Sequence, residues 1–250
     1  MRFNRRLNEE SISEWKSAYV DYKFLKIKLK RFNSSNDNDD NKLSVNKINI
    51  NSDLQDIIIN LPSTHRSFFT TMDSQLIKVN TFFLDRLSDA QTQAITLDSQ
   101  LLQLKKHRIS FQSKHPKNYL LAIKGAWDIR HHLFKYLKSL FNKNITGKSN
   151  DENFNNMYSG YKDDDIKLSD PHGYNKAQRK LKLAVFELHR YLNMLKSYVE
   201  LNQTAFYKAL KKYDKVANNS SPLMSKYIHE RVNCSDFVTS PSINYLLDGM

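Results

Sequence analysis

"STHRSFFTTMDSQLIKVNTFFLDRLSDAQTQAITLDSQLLQLKKHRISFQSKH", Ser63 to His115, contains neither glycine nor proline. Nothing local stops a helix in such a stretch. Phe69, Leu76, Val79, Phe83 and Leu87 recur on one face at helical spacing. The pattern predicts a helix of about 45 residues, about 65 Å long at 1.5 Å per residue. A helix that long with one apolar face needs a long partner.

Residues Asn175 to Ser221, between Gly173 and Pro222, supply it. Leu181, Val185, Leu188, Leu192, Leu195, Val199 and Phe206 lie there close to a seven-residue repeat. Upstream, residues 9–32 read as another helical segment, with Trp15, Ala18, Tyr22, Leu25, Leu29 and Phe32 in period, and Phe3 and Leu7 begin a short helix before it. Five glycines and five prolines in the whole chain are too few to punctuate many short strands. The expected fold is all-α: a bundle with an N-terminal helical hairpin and two long antiparallel helices.

Residues 33–52, rich in Asn, Asp and Ser, are too polar to bury much surface and read as a flexible insertion, as do residues 145–174. Residues 117–144 form a basic amphipathic stretch interrupted by Gly125, expected to be an extra helix. Its Trp127, Leu133 and Phe134, set among Arg130, Lys135 and Lys138, resemble an interfacial helix. Packing back onto the bundle is the preferred expectation. The domain is expected to span residues 1–217, with 218–250 a tail or linker whose Phe237, Ile243 and Leu246 show no clear period.

The chain of 250 residues is 40% apolar with mean hydropathy −0.65, compatible with a soluble globular core. Its net charge of +13 and pI near 9.6 point to a polyanionic partner: nucleic acid, an anionic membrane, polyphosphate or a heavily phosphorylated small molecule. Cys234 is the only cysteine, so an intramolecular disulfide and a Cys-rich zinc site are excluded and a reducing compartment, by default the cytosol, is expected. The N-terminus has no apolar signal region and no apolar run reaches the roughly 18 residues of a membrane span. The expectation is a chain that neither crosses a membrane nor is secreted.

Enzymatic signatures are weak. Thr146 to Ser149, "TGKS", imitates the end of a phosphate-binding loop, but Asn142 stands where the first glycine belongs and no strand precedes it. His131 and His132 are adjacent, so their rings diverge on a helix, and Asp163, Asp164 and Asp165 lack the glycine and closing glutamate of a calcium loop. No catalytic residue, metal or cofactor is expected.

"FYKALKKYDK", residues 206–215, carries the sharpest signal. At 100° per residue Lys208, Lys211, Lys212 and Lys215 fall within an arc of about 100°, opposite Phe206, Ala209, Leu210 and Tyr213. Like charges so spaced cost a few tenths of a kcal/mol per pair, with no return in the folded state unless an anion fills the face. The alternative is a solvated helix end, where cations are favourable in any case. In the first strong segment Tyr22 borders the apolar stripe, with Lys26 one turn on and Lys30 one turn further on the same flank. If the bundle joins the two flanks, a cationic bowl forms with Arg2 at its rim. Charge-assisted hydrogen bonds to phosphate contribute roughly 1.5–3 kcal/mol each, so four or five reach micromolar affinity after the costs of binding.

Three blocks of sequence extend this. "MRFNRRLNEESISEWKSAYVDYKFLKIKLK" resembles the opening of an SPX domain, "FFTTMDSQLIKVNTFFLDRL" (68–87) its central block, and "ELHRYLNMLKSYVELNQTAFYKALKKYDK" (187–215) its closing helix. The resemblance implies a helical bundle with two long helices and a basic surface for inositol polyphosphates, either an inositol pyrophosphate or inositol hexakisphosphate, that reports phosphate status. Tyr22 and Lys26 match the family's ligand-binding Tyr and Lys. Lys208, Lys211, Lys212 and Lys215 match its closing lysine cluster. Arg2 stands where Lys is common, a planar fork in place of a point charge. Ser13, Ile27 and Tyr207 depart from the pattern; the latter two remove cationic positions and bear on affinity.

SPX domains usually open larger proteins. The tail "HERVNCSDFVTSPSINYLLDGM" and "DYKFLKIKLKRF" look most like the membrane phosphate exporters related to the xenotropic and polytropic retrovirus receptor. That implies a transporter domain in the same full-length chain, at the cytosolic face of the plasma membrane or an endomembrane such as the Golgi, with regulatory proteins as further partners. Another phosphate-related SPX protein, such as an uptake carrier, a polyphosphate polymerase complex or a kinase inhibitor, stands as the alternative. A basic helical nucleic-acid binder is the alternative from another class. No nucleic acid is expected, because the lysines gather in a spot rather than a track.

Overall fold

The computed structural model describes residues 3–35, 53–114, 171–217 and 223–240, with side chains over 3–30, 53–108, 173–217 and 223–240. Arg2, the insertion beyond Ser35, residues 117–144, the TGKS segment, the His131–His132 and Asp163–Asp165 clusters, Phe32's side chain, and Ile243 and Leu246 lie outside them. Helices α1 (Phe3–Glu10), α2 (Tyr22–Ser35), α3 (Leu54–Ile59), α4 (Ser63–Lys114), α5 (Pro171–Val216), α6 (Leu223–Tyr227) and α7 (Asp236–Thr239) follow in order, with a 3-10 turn at Ser13–Ala18 and a π turn at Ile228–Val232. No strand occurs among the described residues. The all-α expectation holds.

Two compact units divide the chain, and α4 and α5 contribute a stretch to each. The first takes residues up to Leu84 and Lys196–Ser240; the second takes Asp85–Leu195. In the first, Phe68 stacks on Tyr213 at 5.1 Å while Phe82 meets Tyr198 at 5.2 Å, so α4 and α5 run antiparallel. In the second, Tyr191 donates to the Arg86 carbonyl at 3.4 Å and Leu104 clusters with Tyr174 and Leu181, again antiparallel.

Seam width differs between the units for a physical reason. In the second, Leu181, Leu188 and Leu192 of α5 meet Ala90, Ala94 and Leu97 of α4 in a narrow stripe among the described residues. In the first, Tyr198, Leu201, Asn202, Ala205, Phe206, Ala209, Leu210 and Tyr213 are all buried, a broad face that several elements cover. Tyr198, wholly buried, takes the place the seven-residue pattern assigned to Val199, which is half-buried. A 3.6-residue helix drifts from a 3.5-residue repeat, and here the drift puts an aromatic at the centre.

The expected continuous helix over 9–32 is interrupted. α1 ends at Glu10, the 3-10 turn carries buried Trp15 and Ala18, and Tyr19 to Asp21 form a non-helical link. Val20 donates its N–H to Asn202 Oδ1 at 2.9 Å, and Lys78 Nζ donates to the Ser17 and Tyr19 carbonyls at 3.3 and 2.7 Å. These partners satisfy backbone groups that a helix would have paired internally. α4 spans 52 residues, about 78 Å, longer than expected. α5 begins at Pro171, ahead of Gly173, with proline in the first helical position where its missing N–H costs nothing.

Residues 223–240, expected to be linker, carry buried Leu223, Tyr227, Val232 and Phe237. Tyr227 donates to Asp73 Oδ1 at 2.7 Å and its ring lies 5.2 Å from Phe69. The Asn80 amide accepts the Phe237 N–H and donates to Asp236, both at 3.0 Å, which caps α7.

Candidate functional site

The last turns of α5 are oriented by what they bury. Phe206, Ala209, Leu210 and Tyr213 are at most 2% exposed, so the lysine arc opposite them must face outward. Lys208, Lys211 and Lys215 are exposed; Lys212, about 60° from Ala209 on the wheel, is half-buried. Asp214, the one acidic residue within 206–215, sits about 60° beyond Lys211, outside the arc. Its Oδ1 is buried and its charge, after burial itself, helps push the Tyr213 hydroxyl up.

On α2 the register is set by Asp21, whose Oδ1 accepts the Phe24 N–H at 2.8 Å as an N-cap. Tyr22 therefore opens the helix, with Lys26 and Lys30 one and two turns on. Its ring is buried edge-to-face against Phe3 at 5.0 Å, and burial raises its hydroxyl, which stays protonated at neutral pH and able to donate. Lys26 Nζ lies 6.0 Å from the same ring. Lys28 points elsewhere: it donates to Ser67 O and Oγ at 3.2 and 3.1 Å and to Thr71 Oγ1, which ties α2 to α4.

The two flanks meet. The Lys212 ammonium is held below its ordinary value, first by burial and then by the positive charges of Lys26 and Lys30. Like charges lower a lysine only when they lie close by, so α2 and α5 bring at least three cations into one electrostatic neighbourhood within the first unit. Tyr22, Lys26 and Lys212 of the expected set are thus gathered there, Lys208, Lys211 and Lys215 extend the same arc, and Arg2 lies outside the described residues. Lys30, left out of the expected set, acts on Lys212 as Lys26 does. Its four-residue spacing from Lys26 was the available signal.

Such a cluster suits a compact ligand with several phosphates, which would raise Lys212 toward its ordinary pKa and offer the Tyr22 hydroxyl an acceptor. Among the described residues no group of three or more His, Cys, Asp or Glu side chains is placed to hold a metal ion, and no helix is long and apolar enough to cross a membrane.

The SPX domain family model matches residues 1–58 and 137–230, segments that include every residue of the expected site. The chain belongs to the SPX domain family. Among its relatives, Phosphate transporter PHO1 homolog 4 of Arabidopsis thaliana is 24% identical over 311 residues, covering 99% of this chain and 41% of the relative. The Xenotropic and polytropic retrovirus receptor 1 homolog of Xenopus laevis is 23% identical over 247 residues, covering 99% and 28%. This SPX chain thus spans less than half the length of these relatives. The solved SPX domain of Chaetomium thermophilum glycerophosphodiester phosphodiesterase 1, in complex with inositol hexakisphosphate, aligns with all of this chain and 94% of that one, at TM-score 0.52 and 19% identity. That likeness confirms the SPX fold.

Proposed function

We propose that this SPX domain is a non-catalytic sensor that binds inositol polyphosphates, inositol pyrophosphates above all, and thereby regulates a phosphate transporter carried in the same full-length chain. The observation that carries it is the convergence of Lys26 and Lys30 of α2 on Lys212 of α5, whose charges add to the effect of burial in lowering that lysine. Tyr22, Lys208, Lys211 and Lys215 would extend the site, with Arg2 the rim residue that the SPX pattern implies. The hexakisphosphate held by the related domain supports the ligand class, and the name of the phosphate-transporter relative supports a transporter setting, in which the domain would sit on the cytosolic face of a plasma or Golgi-type membrane.

Ligand binding works here by population shift. Neutralising the lysines favours arrangements of α2, α5 and the N-terminal segment in which the cations lie closer together, and a partner surface changes with them. The test is calorimetric titration of inositol pyrophosphate and inositol hexakisphosphate at near-physiological salt, against inorganic phosphate, ATP and a short DNA duplex. Micromolar or tighter binding that Lys212→Met weakens and DNA does not match is expected. Equal binding of every polyanion, fading together with salt, overturns the assignment.

A further inference from the structure

The second unit carries a surface that the lysine site does not use. On α5, Arg179, Leu183, Phe186 and Arg190 recur at i, i+4, i+7 and i+11, about 180° from the Leu181–Leu188–Leu192 seam. Leu183 is 65% and Phe186 58% exposed, so two large apolar side chains stand a turn apart in water. Single exposed apolar residues are ordinary, but an adjacent pair on the outer face of one helix is not. Phe186's ring carries the Lys182 ammonium 5.8 Å from its centroid, and Lys176 is exposed beside the stripe.

Charge on two described stretches of this unit has one sign. Residues 99–108 of α4 and 173–186 of α5 contain seven lysines and arginines and no Asp or Glu. The two stretches lie side by side, since Leu104 packs with Tyr174 and Leu181.

We propose that this outer face of α5, with the basic end of α4, docks on an anionic phospholipid bilayer. Cations flanking exposed Leu and Phe are the composition of an interfacial helix face: lipid phosphates and carboxylates meet the Lys and Arg heads, and the acyl boundary takes the apolar tips. Nucleic acid or a free phosphate would satisfy the cations but leave Leu183 and Phe186 in water, so the apolar pair selects the bilayer. Docking would hold the second unit at the membrane surface whether or not the lysine site is filled.

The whole chain is sedimented with phosphatidylcholine vesicles with and without phosphatidylserine, as wild type, as Leu183→Ser with Phe186→Ser, and as Arg179→Glu with Lys182→Glu. Partition that requires phosphatidylserine and falls about tenfold or more in each double variant is expected. The hexakisphosphate Kd of both variants should stay within about twofold of wild type, and Lys212→Met should keep its partition, which separates this face from the lysine site. Thermal melts that match wild type confirm folding of the exposed-site variants. Three outcomes overturn the proposal: no dependence on phosphatidylserine, wild-type partition in the Leu183/Phe186 variant, or a self-association of the wild type without vesicles that this variant abolishes. The second assigns any membrane binding to another segment such as 117–144, and the third assigns the face to a second copy of the chain.

Discussion

Replacing Lys212 with methionine separates the two things a clustered lysine does. Methionine keeps most of the unbranched stem that packs on the border of the buried arc and removes only the charge. In the free protein that charge is repelled by Lys26 and Lys30, so its loss should stabilise by a few tenths of a kcal/mol, a rise in Tm of at most about 1 °C. In the complex it would make a charge-assisted contact of about 1.5–3 kcal/mol, so the Kd for an inositol polyphosphate should weaken about ten- to a hundredfold. Lys28→Met is the matched control on α2. Lys28 spends its ammonium on Ser67 and Thr71, so its loss should cost about 1 kcal/mol of stability, about 2–4 °C, and change Kd little. Calorimetry and thermal melts at near-physiological salt read both quantities, with the distant field of any single cation screened beyond about 8 Å. Equal weakening of Kd by the two variants would refute a built site and leave only a charged surface.

Proton linkage offers a second check. Because the folded, free domain holds Lys212 below its ordinary pKa of 10.5, an anion that raises it back should draw in protons, and affinity should fall as pH climbs through the lowered value. Calorimetry in buffers of different ionisation enthalpy measures the uptake, and Lys212→Met should diminish it. His65, buried against the Tyr213 hydroxyl at 2.7 Å, is held below its ordinary 6.5 by burial. The unfolded chain therefore binds the proton more readily, so His65's contribution to stability is full above pH 6.5 and is lost as pH falls through its folded value; His65→Gln should flatten that part of a melting-versus-pH curve. Asn202, fully buried, accepts the Val20 N–H and donates to the Tyr198 carbonyl at 2.8 Å. Asn202→Leu strands both groups and should cost about 1–3 kcal/mol, with faster hydrogen exchange at Val20; an unchanged Val20 rate would show that the Asn202 contact does not hold the link.

Periodicity made the long helices legible. Uninterrupted stretches bounded by Gly and Pro, with an apolar face in step, leave an antiparallel pair as the economical way to bury that face. The lysine arc was equally plain, because an angular position on a helix depends on sequence number alone. The break at residues 11–21 was not, since it contains neither Gly nor Pro and its apolar residues stay in helical step. It persists because Asn202 and Lys78, 182 and 59 residues from their respective partners, supply hydrogen bonds that a helix would have made itself. Asp21 was the local clue, an N-cap read past because the apolar spacing ran through it. The 223–240 segment was missed for a similar reason, because its buried residues pack on Phe69, Asp73 and Asn80 rather than repeating among themselves.

By itself the sequence determined the helical class, the pairing of two long helices, the outward lysine arc on α5 and the flank of Tyr22, Lys26 and Lys30. These depend on regular repeats within one segment, where backbone geometry converts spacing into direction. Only the tertiary structure decided that the α2 flank stands beside Lys212, that Lys28 turns to α4, and that Leu183 and Phe186 are left facing water. Each of these depends on which side chains distant in sequence fill the space between helices, and that choice is made by packing and by the pairing of buried polar groups.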